Sequence, residues 1–134
     1  GSIYDLLRDA EQMTARVAIN AWGANGNYGQ YSADSRSVDI LVHDKPAMLP
    51  LFSVGDRGAQ GASQITPPST AKNVLAIGAS GTGTTLDTVA SFSSKGPSLD
   101  GLSLPPRAGG LSLLSVKLSA PLLLPLLAVL WLQQ

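Results

Sequence analysis

Residues 48–54 read Met-Leu-Pro-Leu-Phe-Ser-Val, and the run stops at once in Gly55-Asp56-Arg57-Gly58. A short apolar run closed by turn residues has the pattern of a buried strand. Upstream, Ser35 is a candidate N-cap. Val38, Leu41 and Val42 supply the buried stripe of a helix that ends before Pro46. Before it, Trp22 to Tyr31 is a loop rich in glycine, asparagine and tyrosine. Arg16 to Asn20 reads as a short strand. Ile3, Leu6, Leu7, Ala10 and Met13 fall on one face of an amphipathic helix. Downstream, Gly61 to Thr70 is a polar loop around Pro67-Pro68. Asn73 to Ala79 is a third strand, and Thr88 to Phe92 a candidate fourth. Helix, strand, loop, helix, strand is the order of an α/β fold, a mostly parallel sheet flanked by helices. No repeat of 20 to 50 residues is present.

The chain has 134 residues, enough for one domain. Nine basic residues balance nine acidic ones. That balance argues against a nucleic-acid partner, whose recognition needs a clustered positive excess. There is no cysteine, so disulfides, thiolate zinc sites and cysteine nucleophiles are excluded. The single histidine, His43, rules out any site needing two within this chain. It stands four residues after Asp39, the spacing of a surface i,i+4 helix pair. Asp34, Asp39 and Asp44 do not form the Asp-x-Asp-x-Asp-Gly pattern of a calcium loop, so no metal is expected.

Both ends are unusual. The start, Gly1-Ser2-Ile3, suggests a fragment, a processed product or a cloning remnant, and no signal-peptide pattern follows it. From Leu111 onward 11 of 24 residues are leucine, and residues 118–134 form an uncharged apolar tail. A membrane helix needs about 20 apolar residues. This run is shorter and is broken by Pro121 and Pro125, so a docked apolar segment or a frame-shifted tail is favoured over membrane association.

Four ordered blocks carry a resemblance. They are Ile19-Asn-Ala-Trp-Gly-Ala24, Leu51-Phe-Ser-Val-Gly-Asp-Arg-Gly58, Ile65-Thr-Pro-Pro-Ser-Thr-Ala-Lys-Asn-Val-Leu-Ala-Ile-Gly-Ala79 and Ala90-Ser-Phe-Ser-Ser-Lys-Gly-Pro-Ser-Leu-Asp-Gly101. In this order and spacing they resemble the middle of a subtilisin-like serine protease domain, over residues 1–117. The resemblance implies a partial subtilisin-like fold, an extended peptide or protein substrate, no cofactor, and a secreted or extracytoplasmic setting. It places the family's catalytic aspartate and histidine segments upstream of residue 1 and the nucleophile segment downstream of residue 117. The chain alone is therefore expected to be inactive.

The resemblance also assigns positions. Ala21, Trp22, Gly23 and Ala24 match the strand that lines the substrate cleft, where small residues let a peptide add as a strand. Ser53, Val54 and Gly55 match the opposite side, at the specificity pocket. The oxyanion-hole asparagine falls on Asp56. An asparagine amide donates two hydrogen bonds and an ionised aspartate donates none. In a subtilisin, loss of one such donor lowers the rate by about 10²–10³. A bare turn aspartate beside Arg57 is the plain alternative. The family's Lys-Pro-Asp is Leu104-Pro105-Pro106 here, and its Ala-Pro-Gly is Ala108-Gly109-Gly110.

Two other functions fit the same residues: a non-catalytic peptide-binding or interaction module, and a translated gene fragment. A remoter one is nucleotide binding at Gly78-x-x-Gly81-x-Gly83 after the third strand. That reading needs a helix after the glycines, then a strand ending in an acidic residue, and Asp100 follows Pro97 in a turn instead.

Overall fold

The computed structural model describes residues 1–81, 83–85 and 88–100. The apolar tail and the segments at Leu104 and Ala108 lie outside the described residues. Among those described, no helix is long and apolar enough to cross a membrane.

Helix α1, Ile3–Gln12, starts at a capping box. The Asp5 N–H donates to Ser2 Oγ, and the Asp5 carboxylate accepts from the Ser2 N–H and hydroxyl. Those bonds from Ser2 hold the Asp5 carboxyl below its ordinary range. Ile3, Leu7 and Ala10 are buried, but Leu6 and Met13 point outward. The buried stripe is thus narrower than the apolar spacing suggests, because one neighbouring helix covers only one side. Helix α2, Ala33–Asp44, is capped by Ser32 and not by Ser35. Ser32 Oγ accepts from the Ser35 N–H, so Ser35 falls inside the first turn. There it is fully buried and shares a 2.7 Å hydrogen bond with Thr70 Oγ1. Val38 and Leu41 are buried as the stripe requires, and Val42 is half-buried.

Three parallel strands follow the order β1 (Val17–Asn20), β2 (Leu49–Ser53), β3 (Leu75–Ile77), with β2 in the centre. Asn20 pairs with Phe52, and Ser53 with Ile77. Helix α2 is the crossover that a parallel β1–β2 pair demands. A proline in a central strand normally loses a ladder bond. The Leu49 N–H donates toward β1, at Arg16 O, and the Val54 N–H toward β3, at Ile77 O. Alternation then puts the missing N–H of Pro50 on the β3 side. Pairing with β3 begins only at Leu51, so Pro50 forfeits nothing.

Both helices cover one face of the sheet. Leu7, Val38, Leu41, Ala18 and Phe52 are the centre of that core. On the opposite face Ile19 and Leu49 are exposed.

Three expectations need correction. Strand β3 is shorter than Asn73–Ala79, because the carboxylate of Asp39 takes the N–H groups of Lys72 and Asn73 while Ser93 Oγ takes that of Ala79. Thr88–Phe92 is not a fourth strand. Only an isolated antiparallel bridge, Ser80 to Val89, forms before the Ser93 N–H turns back to Ala90 O. The loop at 61–70 is not a solvated one either. Residues 65–71 are all buried, with Ser69 bonded to Thr66 O and Thr70 to Ser35 and Gln30 O.

Asp39 also accepts the Tyr31 hydroxyl at 2.7 Å. Burial, then this bond, pushes the Tyr31 pKa up to about 12. A phenol whose folded pKa is raised stabilises the fold in full below its unfolded value near 10, and loses that contribution as pH rises toward 12. Phenolate absorbance, compared with a Tyr31→Phe chain, should show one tyrosine ionising near 12, and Asp39→Ala should return it toward 10. A Tyr31 that titrates near 10 in the folded chain would contradict the contact.

Candidate functional site

Strands β1 and β2 end side by side, with Asn20 paired to Phe52 and β2 running one residue further to Ser53. Ligand crevices in parallel sheets lie beyond such carboxyl ends. The buried Asn20 amide holds the end in place by donating to Ala18 O and Leu51 O. The chain then leaves β1 as 21–24 and β2 as 54–56. The Trp22 ring stands edge-on to Phe52, at 5.6 Å and 87°. The Ser53 hydroxyl faces Trp22 O at 3.5 Å.

Between these two exits lies Thr66-Pro67. The Thr66 N–H donates to Val54 O at 2.9 Å, and the Ala24 N–H donates to Pro67 O at 2.8 Å. The Thr66 side chain fills the gap. A Cβ on Gly23 would collide with its Cγ2, and a Cβ on Gly55 with its Oγ1. Gly55 also has a φ of +96°, a left-handed conformation that favours glycine. The 55–58 turn is clasped from behind by 92–94. The Ser94 N–H donates to Gly55 O, Ser94 Oγ accepts from the Arg57 N–H, and the Gly58 N–H donates to Phe92 O.

The sequence-derived positions can now be placed. Ala21, Trp22 and Gly23 are exposed beyond β1, and Ala24 is half-buried. The Ala24 N–H is already used by Pro67, so it is not open to a peptide backbone. Residues 21–24 are an irregular continuation of β1 and not a strand. Val54 is buried, while Ser53 and Gly55 are half-buried. Asp56 is exposed at the turn. Arg57 does not serve it. The guanidinium lies 4.1 Å from the centre of the Tyr28 ring and donates to Gln60 and Gln64.

Thr66 and Ser94 were missed. Thr66 sat in a segment read as a polar loop, and only its large apolar neighbour Ile65 signals its place.

Asp39 does not face His43, because its carboxylate goes to Tyr31, Lys72 and Asn73. The i,i+4 pair is replaced by a bracket that ties α2 to the entry of β3. After Gly78 the chain makes the bridge to Val89 and then a three-residue 3-10 helix, Gly83–Thr85. A pyrophosphate needs a proper helix N-terminus, so the nucleotide reading loses its support. Among the described residues no cluster of metal-ligating side chains occurs.

Comparison with known proteins gives the family and the fold. The sequence model of Peptidase S8, the subtilase family, matches residues 2–107. Among solved structures the chain is similar to the prenylagaramide maturation protease PagA, with 18% identity and a TM-score of 0.57 over 72% of this chain and 32% of that one. It is also similar to the protease domain of PatA, solved as a serine-to-alanine mutant, with 20% identity and a TM-score of 0.55 over 71% of this chain and 33% of that one. The chain thus spans about a third of the length of these structures. No curated protein matches it.

Proposed function

The chain belongs to the subtilase family, and on that premise we propose that residues 1–117 are a piece of a subtilisin-like serine endopeptidase domain, with 118–134 a tail outside it. The parent reaction is peptide-bond hydrolysis through an acyl-serine intermediate. This piece contributes the cleft wall at 21–24, the opposite wall at 53–55 and the oxyanion position at Asp56. One observation carries the reading: Gly23-Ala24 and Gly55-Asp56 meet across Thr66-Pro67 at the carboxyl ends of two parallel strands.

These 134 residues do not hydrolyse peptides alone. The triad needs a nucleophile and a base that accepts its proton, and no Ser–His pair is assembled among the described residues. Asp56 adds to this. Its ionised carboxylate accepts hydrogen bonds only, and puts negative charge where the tetrahedral oxygen develops its own. That same residue favours a second reading, a module that binds extended peptide without cutting it.

The test is a purified chain with a fluorescent extended peptide. The expected result is saturable binding with no cleavage. Turnover that survives a contaminant control and is abolished by a serine-directed reagent would overturn the claim of inactivity. Absence of binding would overturn the cleft.

A further inference from the structure

We propose that Asn25-Gly26 is a site of spontaneous covalent modification, where Asn25 loses its side-chain amide through a succinimide and water leaves aspartate or isoaspartate in its place. The inference stands apart from the peptide-cleft reading.

The chain has four asparagines, at 20, 25, 27 and 73, and only Asn25 is followed by glycine. Ring closure needs a side-chain carbonyl carbon open to attack and a following backbone nitrogen that can reach it. Asn25 is exposed. Neither its amide nor the Gly26 N–H bonds a described residue. No side chain crowds the Gly26 nitrogen, and even a Cβ built there would meet nothing within 4 Å. The flanks are fixed. The Ala24 N–H donates to Pro67 O, the Gly29 N–H to Ile65 O and the Gln30 N–H to Asn27 O. The bend at 25–26 is the unbonded part of a loop anchored on both sides. The other three asparagines each fail one requirement. Asn20 is buried, and its amide donates to Ala18 O and Leu51 O. Asn27 precedes Tyr28 and Asn73 precedes Val74, whose side chains crowd the attacking nitrogen.

In the first step the Gly26 nitrogen gives up its proton and bonds Asn25 Cγ. The Cγ–Nδ2 bond breaks, and that nitrogen takes a proton and leaves as ammonia. Water then opens the ring. Cleavage of the new N–Cγ bond leaves aspartate on the ordinary backbone. Cleavage between the Gly26 nitrogen and the Asn25 backbone carbonyl carbon leaves isoaspartate, with the chain running through the former side chain. Nothing is oxidised or reduced. Either product turns a chain with nine acidic and nine basic residues into one with an excess negative charge. Isoaspartate also adds a backbone carbon between the Ala24 and Gly29 anchors.

The experiment incubates the full 134-residue chain at increasing pH and locates new acid by peptide mass spectrometry. Labelling by an isoaspartate-specific methyltransferase is the second readout. Acid should appear at residue 25 ahead of 20, 27 and 73, as both isomers, and faster as pH rises. Gly26→Ala should slow it several-fold. The φ of +98° at Gly26 strains an alanine there. Asn25→Gln leaves the backbone alone, demands a larger ring, and should remove the early acid. It serves if Gly26→Ala does not fold. Acid that appears first at another asparagine overturns the proposal. So does a folded chain that keeps Asn25 intact, with the same chain in urea as the reference for an open site. A rate that does not change with pH also overturns it, because the closing nitrogen must first lose its proton.

Discussion

Phe52→Ala is expected to cost about 3–5 kcal/mol, the range for deleting a buried aromatic side chain. Small domains are stable by only about 5–15 kcal/mol in total. Phe52 sits on the central strand, is 1% exposed, and packs in the core with both helices and β1. The residues paired with it, Asn20 and Ala76, are held in the sheet ladder and do not move in to fill the hole. Phe52 also supports Trp22 edge-on, so its loss should release residues 21–24, the proposed cleft wall. Urea denaturation followed by far-ultraviolet circular dichroism should show the midpoint collapse. Phe52→Leu keeps most of the volume and should cost less than about 1.5 kcal/mol. An alanine variant that unfolds at the unchanged midpoint would mean this core does not hold the fold.

Phe52 belongs to the part of the molecule that the sequence exposes directly. Helix α1, helix α2 and strands β1 and β2 each carry a local period, and local periods survive without knowledge of partners. The start of α2 was misplaced by three residues because two serines, Ser32 and Ser35, are equally good caps on paper. Burial separates them: Ser35 is needed inside, against Thr70. The larger error was at 61–70. Its threonines, serines and prolines look like a solvated loop, yet residues 65–70 are buried because distant groups hold them. Thr70 finds Ser35 and Gln30, and Thr66 finds Val54. No pattern within ten residues encodes such pairs. The resemblance supplied what periodicity did not, the pairing of 21–24 with 53–56. It did not supply the threonine between them.

Gly23→Ala is the sharpest test of that threonine. The added Cβ would overlap Thr66 Cγ2, and would stand 3.0 Å from Thr66 Cβ and 3.2 Å from Pro67 O. Overpacking of this kind costs about 1–3 kcal/mol, and the proposed cleft wall it displaces should lose peptide binding by at least about tenfold. Thr66→Gly in the same chain removes two of the three obstructing atoms. The two changes should therefore not add. A coupling of about 0.5–3 kcal/mol is expected in the double-mutant cycle, with the double variant more stable than the sum of the single ones predicts. Gly55→Ala supplies the contrast. Its Cβ also strikes Thr66, but its φ of +96° remains after the threonine is gone. An alanine there is strained whatever the space around it. Thr66→Gly should then rescue Gly23→Ala well and Gly55→Ala poorly. Equal rescue of both would mean that neither glycine is required by backbone conformation. Strict additivity at both would remove Thr66 from the gap between the walls.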